Sequence, residues 1–310
     1  MRAFGQRILL ALATGAIFTT FSELMFWGSY DFAGKLNELL FTWLMYSLLA
    51  YMFLGIIRAF RVHNLWALFL AGAIYGWLDE GVIVQTMYDS FPLQISWTGL
   101  SWHALLTVCT GWYLIRKALL EPRISRLLWV SVATGLTWGA WSTWWWTENG
   151  TILPLESFMV YSVIIGAILI MAYWVSNLIP PASFQPSRTE QIVVTIALLL
   201  YFAFLTVPRN PYALLLLPPC LALSCWALFR HRNTGEGTAI MLDELSGNVV
   251  CWRYLCLALL PLSAIITYAV FLLLNAKLPT GMVLYAVTVP VGFIFFIISM
   301  VKLLRSSPQG

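Results

Sequence analysis

Apolar stretches of about 20 residues, the length an α-helix needs to cross a bilayer's hydrocarbon, recur along the whole chain. Ten are predicted, at 8–29, 38–57, 64–88, 97–115, 127–147, 153–177, 190–207, 211–229, 253–274 and 281–301. The connections are short. The longest are 178–189, with Pro180, Pro181 and Pro186, and 231–252. Within the second, Ile240, Met241 and Leu245 have the spacing of a short amphipathic helix lying on the membrane surface. The expected fold class is therefore all-α: a polytopic integral membrane helical bundle of about ten transmembrane helices. It reads as a single domain over 1–310, with a six-helix part at 1–178 and a four-helix part at 190–305. Pro218 and Pro219 fall mid-stretch in the eighth helix and predict a bend there.

Composition agrees. The chain is 61% hydrophobic and only 10% charged, against roughly 25% charged for a soluble domain. Placing the N-terminus inside puts 14 Lys and Arg on the inner side and 3 (Lys35, Arg209, Lys277) on the outer side. That alternation follows the positive-inside rule and predicts that both termini are cytoplasmic. The net charge of +4 is thereby accounted for by topology, and no nucleic-acid partner is expected. Arg2 and Arg7 precede an apolar run with no small-x-small cleavage pattern, so the first helix is expected to be retained. His63 and His231 sit beside arginines at the inner boundary and read as solvated loop residues. The expected location is a bacterial or archaeal cytoplasmic membrane, with the lipid bilayer as the constant partner.

One pattern repeats. Gly15–Glu23 reads GAIFTTFSE and Gly72–Glu80 reads GAIYGWLDE, aligned without a gap at an offset of 57. A looser third copy begins at Gly135, with Trp138 in the aromatic position and no glutamate. Each copy lies on an outward-running helix followed by a returning one, so helices one to six read as a helical-hairpin repeat.

The acids in that repeat are the candidate chemistry. An ionisable group in hydrocarbon costs roughly 2.5–3.5 kcal/mol on insertion scales, so it persists where it has a partner or a task. At 1.5 Å per residue, Glu23 and His103 lie roughly 9 Å and Glu80 roughly 12 Å below the outer surface. Glu23, Asp79, Glu80 and His103, with Glu148 and Glu156 nearer the mouth, are the candidate substrate- or proton-binding residues. Trp77, Trp97, Trp102, Trp138 and Trp141 crowd the same level and are the candidate pocket lining, suited to stacking or cation–π contact. No cofactor is predicted; should a divalent metal bind, Glu23, Glu80 and His103 are the expected ligands.

These residues describe an outward-facing, acidic, Trp-lined intramembrane pocket. Its leading interpretation is a small-molecule transporter, for a cationic or proton-coupled cargo. Ten helices in about 300 residues resemble the layout of the drug/metabolite transporter superfamily, which implies two similar five-helix halves. An intramembrane enzyme acting on a lipid or lipid-linked substrate is the alternative, with Glu and His as acid–base groups or metal ligands. A non-catalytic subunit of a membrane complex is the third. The topology is directly testable. In a cysteine-replaced background, Arg209→Cys and Lys277→Cys should react with an impermeant maleimide in intact cells, whereas Arg123→Cys and Arg232→Cys should react only after permeabilisation.

Overall fold

The computed structural model describes residues 2–234 and 237–305, and over these it is all-helical. Ten long helical segments match the ten predicted stretches: α1 (Ala3–Trp27), α2 (Leu36–Ala59), α3 (65–83), α4 (95–120), α5 (Ile124–Trp141), α6 (Leu155–Asn177), α7 (Arg188–Thr206), α8 (Ala213–Arg232), α9 (Trp252–Leu273) and α10 (Thr280–Arg305). Among the described residues, seven have both the length and the apolar composition of a membrane span; α3, α4 and α5 do not reach it. Those three carry the paired acids, the embedded histidine and all five candidate tryptophans, which lowers their hydropathy. Composition therefore supports seven spans, and the crossing of the other three rests on charge alternation.

Local chemistry sets the helix ends. Asn64 caps α3, its side-chain oxygen accepting from the backbone N–H of Trp66 and Ala67 at 3.1 and 3.0 Å. Gly28 stops α1 in the left-handed region, at φ +66°. Ser187 and Glu190 form a capping box on α7. Glu190 is also gripped by Arg7 of α1, at 2.9 Å from Nε and 2.5 Å from Nη2, and by the Tyr51 hydroxyl of α2. The start of α7 is thus tied to α1 and α2.

The helices differ in what they face. α1 keeps 72% of its apolar window inside the protein, whereas α7 and α10 keep 11% each. α1 is a core element, and α7 and α10 present apolar surface of the kind that lipid covers. α1 packs along α2 and α6, α3 along α4, and α8 and α10 both pack on α3. α9 lies against both α5 and α6, so helices of the second part are interleaved with those of the first.

Three sequence expectations change. α5 pairs mainly with α9 rather than with α6, so the third hairpin is not formed as a packed pair. Residues 240–245 do not lie on the membrane surface: Ile240, Met241, Leu242 and Leu245 are buried in the core, and the Met241 N–H donates to the Val62 carbonyl at 2.8 Å. His231 is buried rather than solvated, its ring stacked on His63 at 4.0 Å between centroids. α8 is helical throughout its length, Pro218 and Pro219 included.

The first two hairpins share their contacts as well as their sequence. A Cβ on Gly15 would lie 2.6 Å from the Ser47 Cα, and one on Gly72 would lie 3.0 Å from the Ala104 Cα. Ser47 and Ala104 stand at the same offset of 57 as the glycines, and Leu48–Leu49 and Leu105–Leu106 follow them identically. Small residues at one level allow each outward helix to approach its returning partner closely, as helix pairing in lipid requires. Gly15→Ala should therefore destabilise the protein by about 1–3 kcal/mol, Gly72→Ala by less, and Gly5→Ala, with nothing within 4 Å, should be neutral. Melting temperatures in detergent will rank the three.

Candidate functional site

The two acids of α3 are brought together by a local widening of the helix. Asp79–Ile83 forms a π-turn, and Thr20–Leu24 of α1 forms one at nearly the same place in the repeat. The same wider winding runs through Ile95–Ile115 of α4, which carries His103, and recurs at Phe202–Thr206 of α7. Neighbouring residues on an α-helix point about 100° apart; the wider turn reduces that angle, and both Asp79 and Glu80 reach His103 of α4. The His103 Nε2 lies 2.7 Å from Glu80 Oε1 and 3.3 Å from Asp79 Oδ2. Its Nδ1 is 3.0 Å from Ser22 Oγ of α1.

The chain of contacts continues. Tyr46 of α2 donates its hydroxyl to Asp79 Oδ2 at 2.5 Å and also contacts the Glu23 carboxylate. Ser22 Oγ further meets the Tyr75 hydroxyl at 3.1 Å and Thr107 Oγ1 at 3.0 Å. The Glu80 carboxylate also accepts from the Thr86 hydroxyl. Glu23, Tyr46, Asp79, His103 and Glu80 thus form one connected path across four helices. Asp79 is 0% exposed and His103 1%, while Glu23 is half-buried at one end of the path. Asp79 Oδ1 has no hydrogen-bond partner among the described residues.

This path has an internal two-fold relation at the offset of 57. Glu23 and Glu80 are equivalent, as are Tyr46 and His103, and Ser22 and Asp79. Within each hairpin the glutamate meets its own partner: Glu23 with Tyr46, and Glu80 with His103. Between hairpins the contacts cross: Ser22 with His103, and Tyr46 with Asp79. Phe18 and Tyr75, also equivalent, touch each other at 4.3 Å between ring centroids. Exchange of partners about a self-paired contact is the signature of an isologous interface, here within one chain.

The expected residues are therefore distributed unevenly. Asp79, Glu80 and His103 converge, and Glu23 joins them through Tyr46. Glu148 and Glu156 do not: both are exposed, at the end of the short helix Trp145–Glu148 and in the first turn of α6. One oxygen each of Asp79 and Glu80 and a His103 ring nitrogen lie within 4.8 Å of one another, so these three could hold a metal ion. The expected ligand set was Glu23, Glu80 and His103; among the described residues Asp79, Glu80 and His103 stand close enough to share an ion, with Glu23 joined to them through Tyr46.

The tryptophans form a neighbouring feature rather than the wall of the acidic site. Trp97, Trp102, Trp138 and Trp141 line a cavity of about 130 Å³ with Met25, Leu106 and Leu284, and no acid lines it. Trp77 lies elsewhere, donating to the Ile95 carbonyl at 3.1 Å and packing on Phe296. Trp102 connects the two features. Its ring lines the cavity, and its indole N–H donates to the Phe21 and Ser22 carbonyls at 3.0 and 3.2 Å. Tyr46 and Ser22 escaped the sequence reading, although continuing the same offset into the returning helices pairs Tyr46 with His103.

No family model, curated protein or solved structure matches the chain. The path itself is open to test. Leaving a buried polar group unpaired typically costs about 1–3 kcal/mol, and His103 contacts Ser22, Asp79 and Glu80, so His103→Ala should lower thermal stability severely. Tyr46→Phe, which withdraws one donor from two carboxylates, should cost about 1–3 kcal/mol. Melting curves equal to wild type for both would show that the path does not hold the hairpins together.

Proposed function

We propose that this helical membrane protein is a proton-coupled transporter of a small cation, with the Glu23–Tyr46–Asp79–His103–Glu80 path as the exchange site. One observation carries the reading: three carboxylates are joined by a phenol and an imidazole, and Asp79 and Glu80 pair with His103 and with no Lys or Arg among the described residues. Carboxylates packed this closely away from water cannot all remain charged unless protons or a cation neutralise them. A structural salt bridge would place Lys or Arg in the site; a site that must release its counter-charge leaves that place to something mobile.

The geometry supports movement of charge along the path. Glu23 is half-buried and Asp79 wholly buried, so the path leads from a partly open end to a closed one. His103 can take or give a proton at either ring nitrogen, and each nitrogen faces oxygen. Trp102 couples this site to the tryptophan-lined cavity through the Ser22 backbone. A change of charge at His103 would therefore be felt at the cavity wall.

Reconstitution tests this reading. Proteoliposomes containing a pH indicator, given a proton gradient and candidate small cations, should show cation-dependent proton flux. Glu80→Gln and His103→Gln should each reduce it by at least about tenfold, the loss expected when a single buried coupling group is removed. Trp129→Phe, at a residue 74% exposed on the apolar surface, should leave it unchanged. Flux undiminished in both site variants would overturn the proposal.

A further inference from the structure

We infer that the cation is a divalent first-row metal ion, held directly by Asp79, Glu80 and His103. The inference rests on the transport reading for its role as cargo, but the site stands on its own geometry. Donor spacing is the first reason. His103 Nε2 lies 2.7 Å from a Glu80 oxygen and 3.3 Å from an Asp79 oxygen, and the three donors fall within 4.8 Å of one another. Adjacent ligands of an ion with bonds of about 2.0–2.2 Å stand roughly 3 Å apart, so the side chains are already at coordination spacing.

The imidazole is oriented as a ligand would be. Nδ1 sits 3.0 Å from Ser22 Oγ, and a metal-binding histidine commonly directs its second ring nitrogen to such an oxygen, fixing the ring and its tautomer. With Nδ1 donating to Ser22, the Nε2 lone pair points at two carboxylate oxygens. Three acceptors then face each other with no donor between them, an arrangement that an ion at their centre converts from repulsion to attraction.

Two further observations accord with an ion. Asp79 is 0% exposed and its Oδ1 has no hydrogen-bond partner among the described residues, so this buried carboxylate keeps one acceptor free while its Oδ2 lies beside His103. Ionised Asp79 and Glu80 together supply the charge that cancels a divalent ion with neutral histidine. One nitrogen and two carboxylates suit manganese, iron or zinc better than calcium, which takes six to eight oxygens. Tyr46, donating to Asp79 and joined to Glu23, orients the ligands from outside the coordination sphere.

The test uses Mn²⁺ as probe on the full chain in detergent, stripped with chelator and re-equilibrated. Electron paramagnetic resonance should show one bound Mn²⁺ per chain and a nitrogen coupling that disappears in His103→Gln. Asp79→Asn and Glu80→Gln should weaken binding at least tenfold, whereas Glu23→Gln should keep the stoichiometry and the nitrogen coupling. Mn²⁺ should raise the melting temperature of wild type and not that of Glu80→Gln, which shows whether that variant is folded while it loses the ion. Binding that is absent in wild type, or unchanged in Asp79→Asn, Glu80→Gln and His103→Gln, overturns the metal site. The two proposals fail separately: proton flux that needs Glu80 but no Mn²⁺ binding removes the metal and leaves transport, whereas Mn²⁺ binding without flux leaves the site and removes its role as cargo.

Discussion

Asp79 and Glu80, enclosed by apolar helices and paired with His103 and no Lys or Arg among the described residues, are the constraint that the site around them must meet. Desolvating a carboxylate costs several kcal/mol even after relaxation, and hydrogen bonds from neutral groups offset only part of that. Asp79 illustrates the extent: it is fully buried, receives the Tyr46 hydroxyl on one oxygen and, among the described residues, nothing on the other. The helices around it are arranged to share this cost. α2 contributes Tyr46, α4 contributes His103 and α1 contributes Ser22 and Glu23.

The repeat at an offset of 57 shows how four helices are addressed to one point. Two hairpins related by an offset of 57 bring equivalent residues to the same depth, and the close approach at Gly15 and Gly72 fixes each pair internally. The contact between Phe18 and Tyr75 sets the hairpins face to face. A strictly symmetric pair would carry two identical half-sites, and this one does not. The first hairpin presents a phenol and a serine where the second presents an imidazole and an aspartate. The second half therefore has metal-ligand and acid–base capacity, and the first half supplies hydrogen bonds that orient it.

The remaining helices shape the surroundings. α9 fills the space between α5 and α6, while α10 and α8 cover α3. The aromatic cluster, in which Trp102 and Trp141 approach to 4.9 Å between ring centroids, forms a rigid wall beside the acids. Its cavity of about 130 Å³ is close to the size of an engineered cavity that admits benzene. It is suited to a small guest and not to a long chain.

Much of this was legible in the residues. Stretches of about 20 apolar residues placed the helices, the Lys and Arg alternation assigned their expected direction, and the GAI-aromatic…Glu pattern marked the two hairpins before their contacts were seen. Pairing of Glu80 with His103 was also accessible, because consecutive antiparallel helices are usually neighbours and both residues lie at one depth. Direction of facing was not. In a helix that is apolar on every side, hydropathy is nearly the same towards lipid and towards protein, so the pattern gives depth and withholds azimuth. That is why Trp77 looked like pocket lining and packs on Phe296, and why α9 could not be placed between α5 and α6. Only the tertiary structure, through the π-turn at Asp79–Ile83 and the crossed contacts of Ser22 and Tyr46, decided which carboxylates share His103. The physical reason is that depth follows from residue count along one helix, whereas convergence depends on the rotation of four helices about their axes.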